Sequence, residues 1–113
     1  MTQYIIYFNQ QWVGEHPEEW FAARGPLARS VVDEIRSAGE YVFAGGVDED
    51  MSRAFRVSVT DDGSEIESGQ HAPGEQYIGG FTIVDVEDDE KAKFWARAIA
   101  EACGWPQEVR QVV

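Results

Sequence analysis

Tyr4-Ile5-Ile6-Tyr7-Phe8 sets the reading of the whole chain. It is a continuous apolar run, rich in β-branched and aromatic residues, too short for a buried helix and suited to a strand. Successive strand residues point to opposite faces, so Tyr4, Ile6 and Phe8 share one face while Ile5 and Tyr7 share the other. Both faces are apolar, and both need cover. Tyr41-Val42-Phe43-Ala44 repeats the pattern and is closed by Gly45-Gly46. Between these strands, residues 9–15 form a polar loop containing Trp12, and His16-Pro17-Glu18-Glu19 opens a helix with proline and acids at its amino end. Pro26 removes a backbone donor and pushes Gly25 out of helical backbone, which predicts a kink or two helices, the second over 26–38. Leu27, Ala28, Val31, Val32 and Ile35 make its apolar stripe, and Gly39 stops it.

Downstream, Phe55, Val57 and Val59 alternate with Arg56, Ser58 and Thr60, the period of a strand with one apolar and one polar face. Asp61-Asp62-Gly63 turns this strand back through Ser64-Glu65-Ile66-Glu67. A loop containing Gly69, His71, Pro73 and Gly74 leads into the longest strand, about 76–86. Gly79-Gly80 inside it implies a bulge or a close backbone approach. Asp88-Asp89-Glu90 opens a last helix whose apolar stripe is Phe94, Trp95, Ala98, Ile99 and Ala102, Gly104 and Pro106 end it, and residues 108–113 close the chain as a strand. Strands and helices do not alternate strictly, so an antiparallel α+β sandwich is expected rather than a parallel sheet. Two helical segments cover one face of such a sheet. The other face is too apolar for water, and sheet-to-sheet packing of a second copy, a homodimer, is the simplest cover.

Composition narrows the class. The chain has 113 residues with 9 Lys+Arg against 21 Asp+Glu, net −12, and 43% hydrophobic residues, which suits one well-cored domain spanning 1–113. The acidic balance opposes binding to a phosphate backbone or an anionic membrane, so neither nucleic acid nor membrane is an expected partner. The lone Cys103 forms no internal bridge and fits a reducing compartment. Met1-Thr2-Gln3-Tyr4 carries no basic leader, and no apolar run approaches the ~18 residues of a membrane span, so a cytoplasmic protein is expected.

From Val57 to Val86 the string VSVTDDGSEIESGQHAPGEQYIGGFTIVDV resembles the central signature of the YciI-related proteins, in their DGPF-domain branch. Ile78-Gly79-Gly80-Phe81 and Ile83-Val84-Asp85-Val86 carry the resemblance. The opening strand, the Arg36-Ser37-Ala38-Gly39 helix end and the closing Glu108-Val109-Arg110-Gln111-Val112 extend it over most of the chain. It implies a ferredoxin-like antiparallel sheet with helical segments on one face, paired as a dimeric α/β barrel. Relatives in which chemistry has been proposed use a histidine and an aspartate on small molecules. This chain departs from that pattern in two places. Ser68-Gly69-Gln70-His71 stands in the position of the Asp-Gly-Pro-Phe loop, and Ala28, beside Arg29, stands where many relatives carry a helix histidine.

The chemistry on offer is limited. His71 replaces the loop phenylalanine of the resembled motif and is the candidate general acid or base, against a plain solvent-exposed loop histidine. Arg56 and Ser58 lie on the polar side of their strand. There a guanidinium could hold a substrate carboxylate between paired sheets, or instead close a cross-strand salt bridge. Tyr77, with Tyr7 and Phe81, is a candidate wall of an apolar pocket, against ordinary core packing. Asp85 is a weaker acid candidate beside the last helix start, and His16 reads as a local capping or surface residue. No H-x-x-x-H, C-x-x-C or EF-hand spacing supports a metal, and no G-x-G-x-x-G or P-loop supports a nucleotide, so no cofactor is expected. Two functions follow: a small-molecule enzyme using a cavity between sheet and loop, with His71 as acid–base and Arg56 as anion anchor, or a non-catalytic binding or protein-interaction module.

Overall fold

The run at Tyr4 lies in β1 (Thr2–Asn9), an inner strand of a four-stranded antiparallel sheet in a computed structural model that describes residues 1–70 and 74–113. The chain continues through α1 (Glu18–Ser37), β2 (Tyr41–Gly46), β3 (Phe55–Thr60), β4 (Gly63–Ser68), β5 (Ile78–Val86), α2 (Asp89–Cys103) and β6 (Glu108–Gln111). The main sheet runs β2-β5-β1-β6, and β3 and β4 form a separate two-stranded hairpin. With the hairpin set aside, the order is β-α-β-β-α-β, an α+β arrangement compatible with a ferredoxin-like sheet.

Register fixes which residues face the helices. Tyr4 pairs with Val84 and Ile6 with Thr82 across β1 and β5, while Ile6 pairs with Val109 across β1 and β6. Tyr4, Ile6, Val84 and Val86 pack with Ile35 of α1 and with Ala92, Trp95, Ala96 and Ile99 of α2 to form the core. Burying each large member contributes about 1.5–3 kcal/mol relative to exposure. The opposite face presents Ile5, Tyr7, Phe81, Ile83 and Phe43, and Phe43 is 54% exposed. An apolar open face is present, as the alternation in the first strand required.

The helices differ in detail from the expectation. α1 runs unbroken through Pro26. Gly25 has no Cβ to meet the proline ring, and Pro26 and Ala22 are both exposed, so water can serve the carbonyl that loses its partner. Its inner stripe is Ala28, Val31, Val32 and Ile35, whereas Leu27 is turned out to solvent. On α2 the buried stripe is Ala92, Trp95, Ala96 and Ile99, and Phe94 is exposed instead. Asp88 caps α2 by accepting the Lys91 amide at 3.0 Å, and Gly104 ends it at φ 89°, a left-handed position suited to glycine. Tyr4 donates its phenol hydrogen to Asp89; this acceptor, then burial, holds the phenol above its ordinary pKa.

The hairpin lies outside the main sheet. Among the described residues its strands form a two-stranded sheet, pairing Arg56 with Glu67, Val57 with Ile66 and Ser58 with Glu65 around the two-residue turn Asp61-Asp62. The apolar side does not reach the helices: Phe55 is 71% and Val59 92% exposed. The radius of gyration, 16.3 Å against about 13 Å for a compact chain of this length, fits an arm that stands away from the body.

Candidate functional site: a cavity between helices and sheet

Glycines and one alanine leave the space. At the glycine end of β5 the strand bulges, with Phe8 opposite Gly80 and Asn9 opposite Ile78. A Cβ at Gly79 would stand 2.6 Å from the Phe8 ring, and one at Gly80 would stand 2.8 Å from it, so the ring lies directly on bare backbone. Phe8 in turn meets Trp105 edge-to-face at 5.2 Å. Beside it lies a cavity of about 240 Å³. Phe8, Gly80 and Thr82 form its sheet side, Ala28 and Val32 of α1 its roof, Ala44 and Gly45 of β2 one wall, and Ile99, Cys103 and Gln107 its far end. Ala28 lines this space, and a larger side chain there would project into it.

The wall is mostly apolar, with Thr82, Cys103 and Gln107 as its polar side chains, a lining suited to a small ligand held by a few directed groups. The Gln107 amide nitrogen is buried without a hydrogen-bond partner. Burial pushes the Cys103 thiol above its ordinary pKa, and the positive charge of Arg24 pulls partly against that rise. A hollow of about 420 Å³ adjoins the cavity along β2, shares Ala28, Val32, Ala44 and Gly45 with it, and adds Arg29, Asp33 and Arg36.

A second cavity, of about 340 Å³, lies between the end of β2 and the loop before β5, lined by Val47, Met51, Ala54, Tyr77 and Ile78 with Asp48, Asp50, Arg53 and Gln70. Its polar groups already have partners. Arg53 bridges Asp48 at 2.9 Å and Asp50 at 3.4 Å, Gln70 donates to the Gly74 carbonyl, and the Tyr77 hydroxyl donates to the Glu49 carbonyl at 3.2 Å. Asp50 also accepts from the hydroxyl and backbone amide of Ser52, and these bonds hold its carboxyl below the ordinary range.

Among the described residues, those singled out in the sequence do not line one common cavity. His71 lies outside the described residues. Arg56 donates to Glu67 at 2.9 Å and to the Ser68 carbonyl, so its guanidinium closes a cross-strand ion pair within the arm. Ser58 shares that arm face, opposite Glu65. Because β3 does not join the main sheet, neither Arg56 nor Ser58 points between sheets of the body. Tyr77 lines the loop-side cavity, Phe81 borders the helix–sheet cavity, and Tyr7 lines a shallow hollow on the open face with Ile5 and Arg110. Asp85 faces Gln3 on the open face, and the helix cap is Asp88. His16 stacks on Trp20 at 3.7 Å.

Thr82 and Gln107 were not legible as site residues. Their best sequence signal is indirect: small residues at 28, 45–46 and 79–80 leave room that no large side chain fills. Among the described residues, no group of three or more His, Cys, Asp and Glu side chains is placed to hold a metal ion, and no helix is long and apolar enough to cross a membrane. No protein-family model matches the chain, and a search of curated proteins finds no match either.

Proposed function

We propose that this chain binds a small, largely apolar molecule in the cavity between the helices and the sheet, and that it works as a homodimer joined through its open sheet face. One observation carries the choice of cavity: Gln107 presents a buried amide nitrogen with no partner beside an apolar void, whereas the polar groups around the loop-side cavity are already engaged. A buried donor without an acceptor is costly, and a ligand acceptor removes that cost. Among the described residues lining this cavity, Cys103 is the one titratable side chain, and its thiol is pushed up, away from neutral. The site therefore suits binding better than acid–base chemistry. The resemblance to the YciI-related proteins is consistent with this reading, with Ala28 at the position of their helix histidine.

A thermal-shift screen with neutral and anionic single-ring and short-chain compounds tests it, run on the wild-type chain and on Ala28→Phe, which fills the void. Ligands should raise the melting temperature of the wild type and leave that of the folded Ala28→Phe protein unchanged. Equal shifts in both proteins would remove the cavity as the site.

An acid–base enzyme at the loop-side cavity is the second reading. It draws on Tyr77, which lines that cavity together with Gln70, the residue immediately before His71 in sequence. It requires turnover that His71→Ala abolishes, a result that binding at the helix–sheet cavity does not predict.

A further inference from the structure

Three side-chain polar atoms among the described residues are buried without a hydrogen-bond partner: Arg24 Nε, Trp105 Nε1 and Gln107 Nε2. All three are N–H donors, and they belong to one corner of the fold. The Arg24 guanidinium lies over the Trp20 ring at 4.1 Å, and Trp20 is 6.2 Å from Trp105. A Cβ at Gly104 would stand 2.9 Å from the guanidinium carbon, which puts Arg24 against the turn that carries Trp105 and Gln107. Trp105 meets Phe8, and Phe8 and Gln107 line the helix–sheet cavity. Buried donors of native proteins are nearly always satisfied, so a cluster of orphans needs an acceptor from outside the chain.

Charge narrows the kind of acceptor. Among the described residues, Arg24 makes no ion pair, although the chain carries 21 acids against 9 bases. With its Nε buried and no counterion beside it, this guanidinium favours a ligand that brings a negative charge, and its planar donors match a carboxylate. One cation suits a single negative charge better than a phosphate dianion. The cavity beside this corner is small and mostly apolar, which fits the body of a short-chain or single-ring acid.

From these observations, and resting on the cavity reading above, we infer that the ligand is a small monocarboxylic acid. Its apolar body fills the space under Ala28 and Val32, and its carboxylate accepts from Arg24, Trp105 and Gln107. Nothing covalent is involved, and Cys103 stays a protonated wall residue.

Calorimetric titration of the intact chain with benzoate, benzyl alcohol, phenyl phosphate and hexanoate tests the assignment. Benzoate or hexanoate should bind at least tenfold more tightly than benzyl alcohol. Arg24→Gln and Gln107→Leu should each weaken the acid at least tenfold while leaving the alcohol within about twofold. The ratio of acid to alcohol affinity separates loss of the acceptor site from a general loss of packing, and Gln107→Leu keeps the test alive if Arg24→Gln does not fold. If benzyl alcohol or phenyl phosphate binds more tightly than the acids, and Ala28→Phe still blocks it, the carboxylate assignment fails while the cavity reading stands. If no probe distinguishes wild type from folded Ala28→Phe, both fail.

Discussion

Glu40 Oε1 accepts a hydrogen bond from Trp95 Nε1 at 3.1 Å, joining the residue that leads into β2 to the middle of α2 across the interior. Lys91 approaches the same oxygen at 3.7 Å from a half-exposed position. The indole N–H is buried, so its acceptor matters more than the ion pair. Glu40→Ala leaves that donor unpaired and should cost about 1–3 kcal/mol in urea unfolding. Glu40→Gln keeps an amide oxygen for Trp95 and loses only the attraction to Lys91, so it should cost under about 1 kcal/mol. Equal losses in the two variants would show that charge, not the indole bond, ties the helix to the strand.

Gly80 and Gly46 face each other across β5 and β2 but differ in what a methyl group would meet. At Gly80 it would stand 2.8–2.9 Å from the Phe8 ring and 3.3 Å from the Gly45 carbonyl, while at Gly46 it meets nothing within 4 Å. Gly80→Ala should lose about 1–3 kcal/mol through this overpacking. Gly46→Ala should stay close to wild type. The displaced ring also borders the cavity, so Gly80→Ala should alter ligand affinity. Matching unfolding curves for the two variants would mean that Phe8 moves aside freely.

Phe43 protrudes from the open face, 54% exposed, with its ring 5.9 Å from Phe81. If this face seats a second copy, Phe43→Glu should convert a dimer to a monomer in light scattering while leaving the circular dichroism of the chain unchanged. Each copy carries net −12, so salt should tighten the association by screening mutual repulsion. A monomer at every ionic strength would refute the pairing.

Cys103 reports on its surroundings through alkylation. Burial raises its pKa and Arg24 opposes the rise, so the iodoacetamide rate should climb with pH around a midpoint above that of an ordinary free thiol. Arg24→Gln removes the opposing charge and should move the midpoint higher still. A ligand in the cavity should slow the reaction, because Cys103 lines its far end. A midpoint at the ordinary thiol value would show that the cavity wall admits water.

Alternation and turn chemistry carried the fold a long way in the sequence. Tyr4–Phe8 showed an inner strand with two apolar faces, Asp61-Asp62-Gly63 marked the hairpin turn, and Gly79-Gly80 marked a close approach that proves to be the Phe8 ring. Pro26 does not divide the helix in two, because the glycine before it has no Cβ and the carbonyl behind it belongs to an exposed residue. Leu27 and Phe94 misled because a helical stripe one residue wider than the core still satisfies the period. The site was less legible for a different reason. Arg24 reaches the turn that carries Trp105 and Gln107 only after α1 and the end of α2 pack together, and a missing hydrogen-bond partner leaves no mark on local sequence. Arg56 stood out because a cation was rare, but Glu67, its direct cross-strand neighbour, already engages it.

The arm of β3 and β4 is tied at its base by the Gly69 amide donating to the Ala54 carbonyl at 2.9 Å, and among the described residues its ladder has no third strand. A two-stranded ribbon on its own is marginally stable, so this part of the chain opens without the rest. Amide hydrogens should therefore exchange in two classes, those of the arm trading with deuterium long before those of β1 and β5. The interval between the classes measures how much the arm borrows from its surroundings. A companion laid against Phe55 and Ile66 would slow the fast class and leave the slow one where it is.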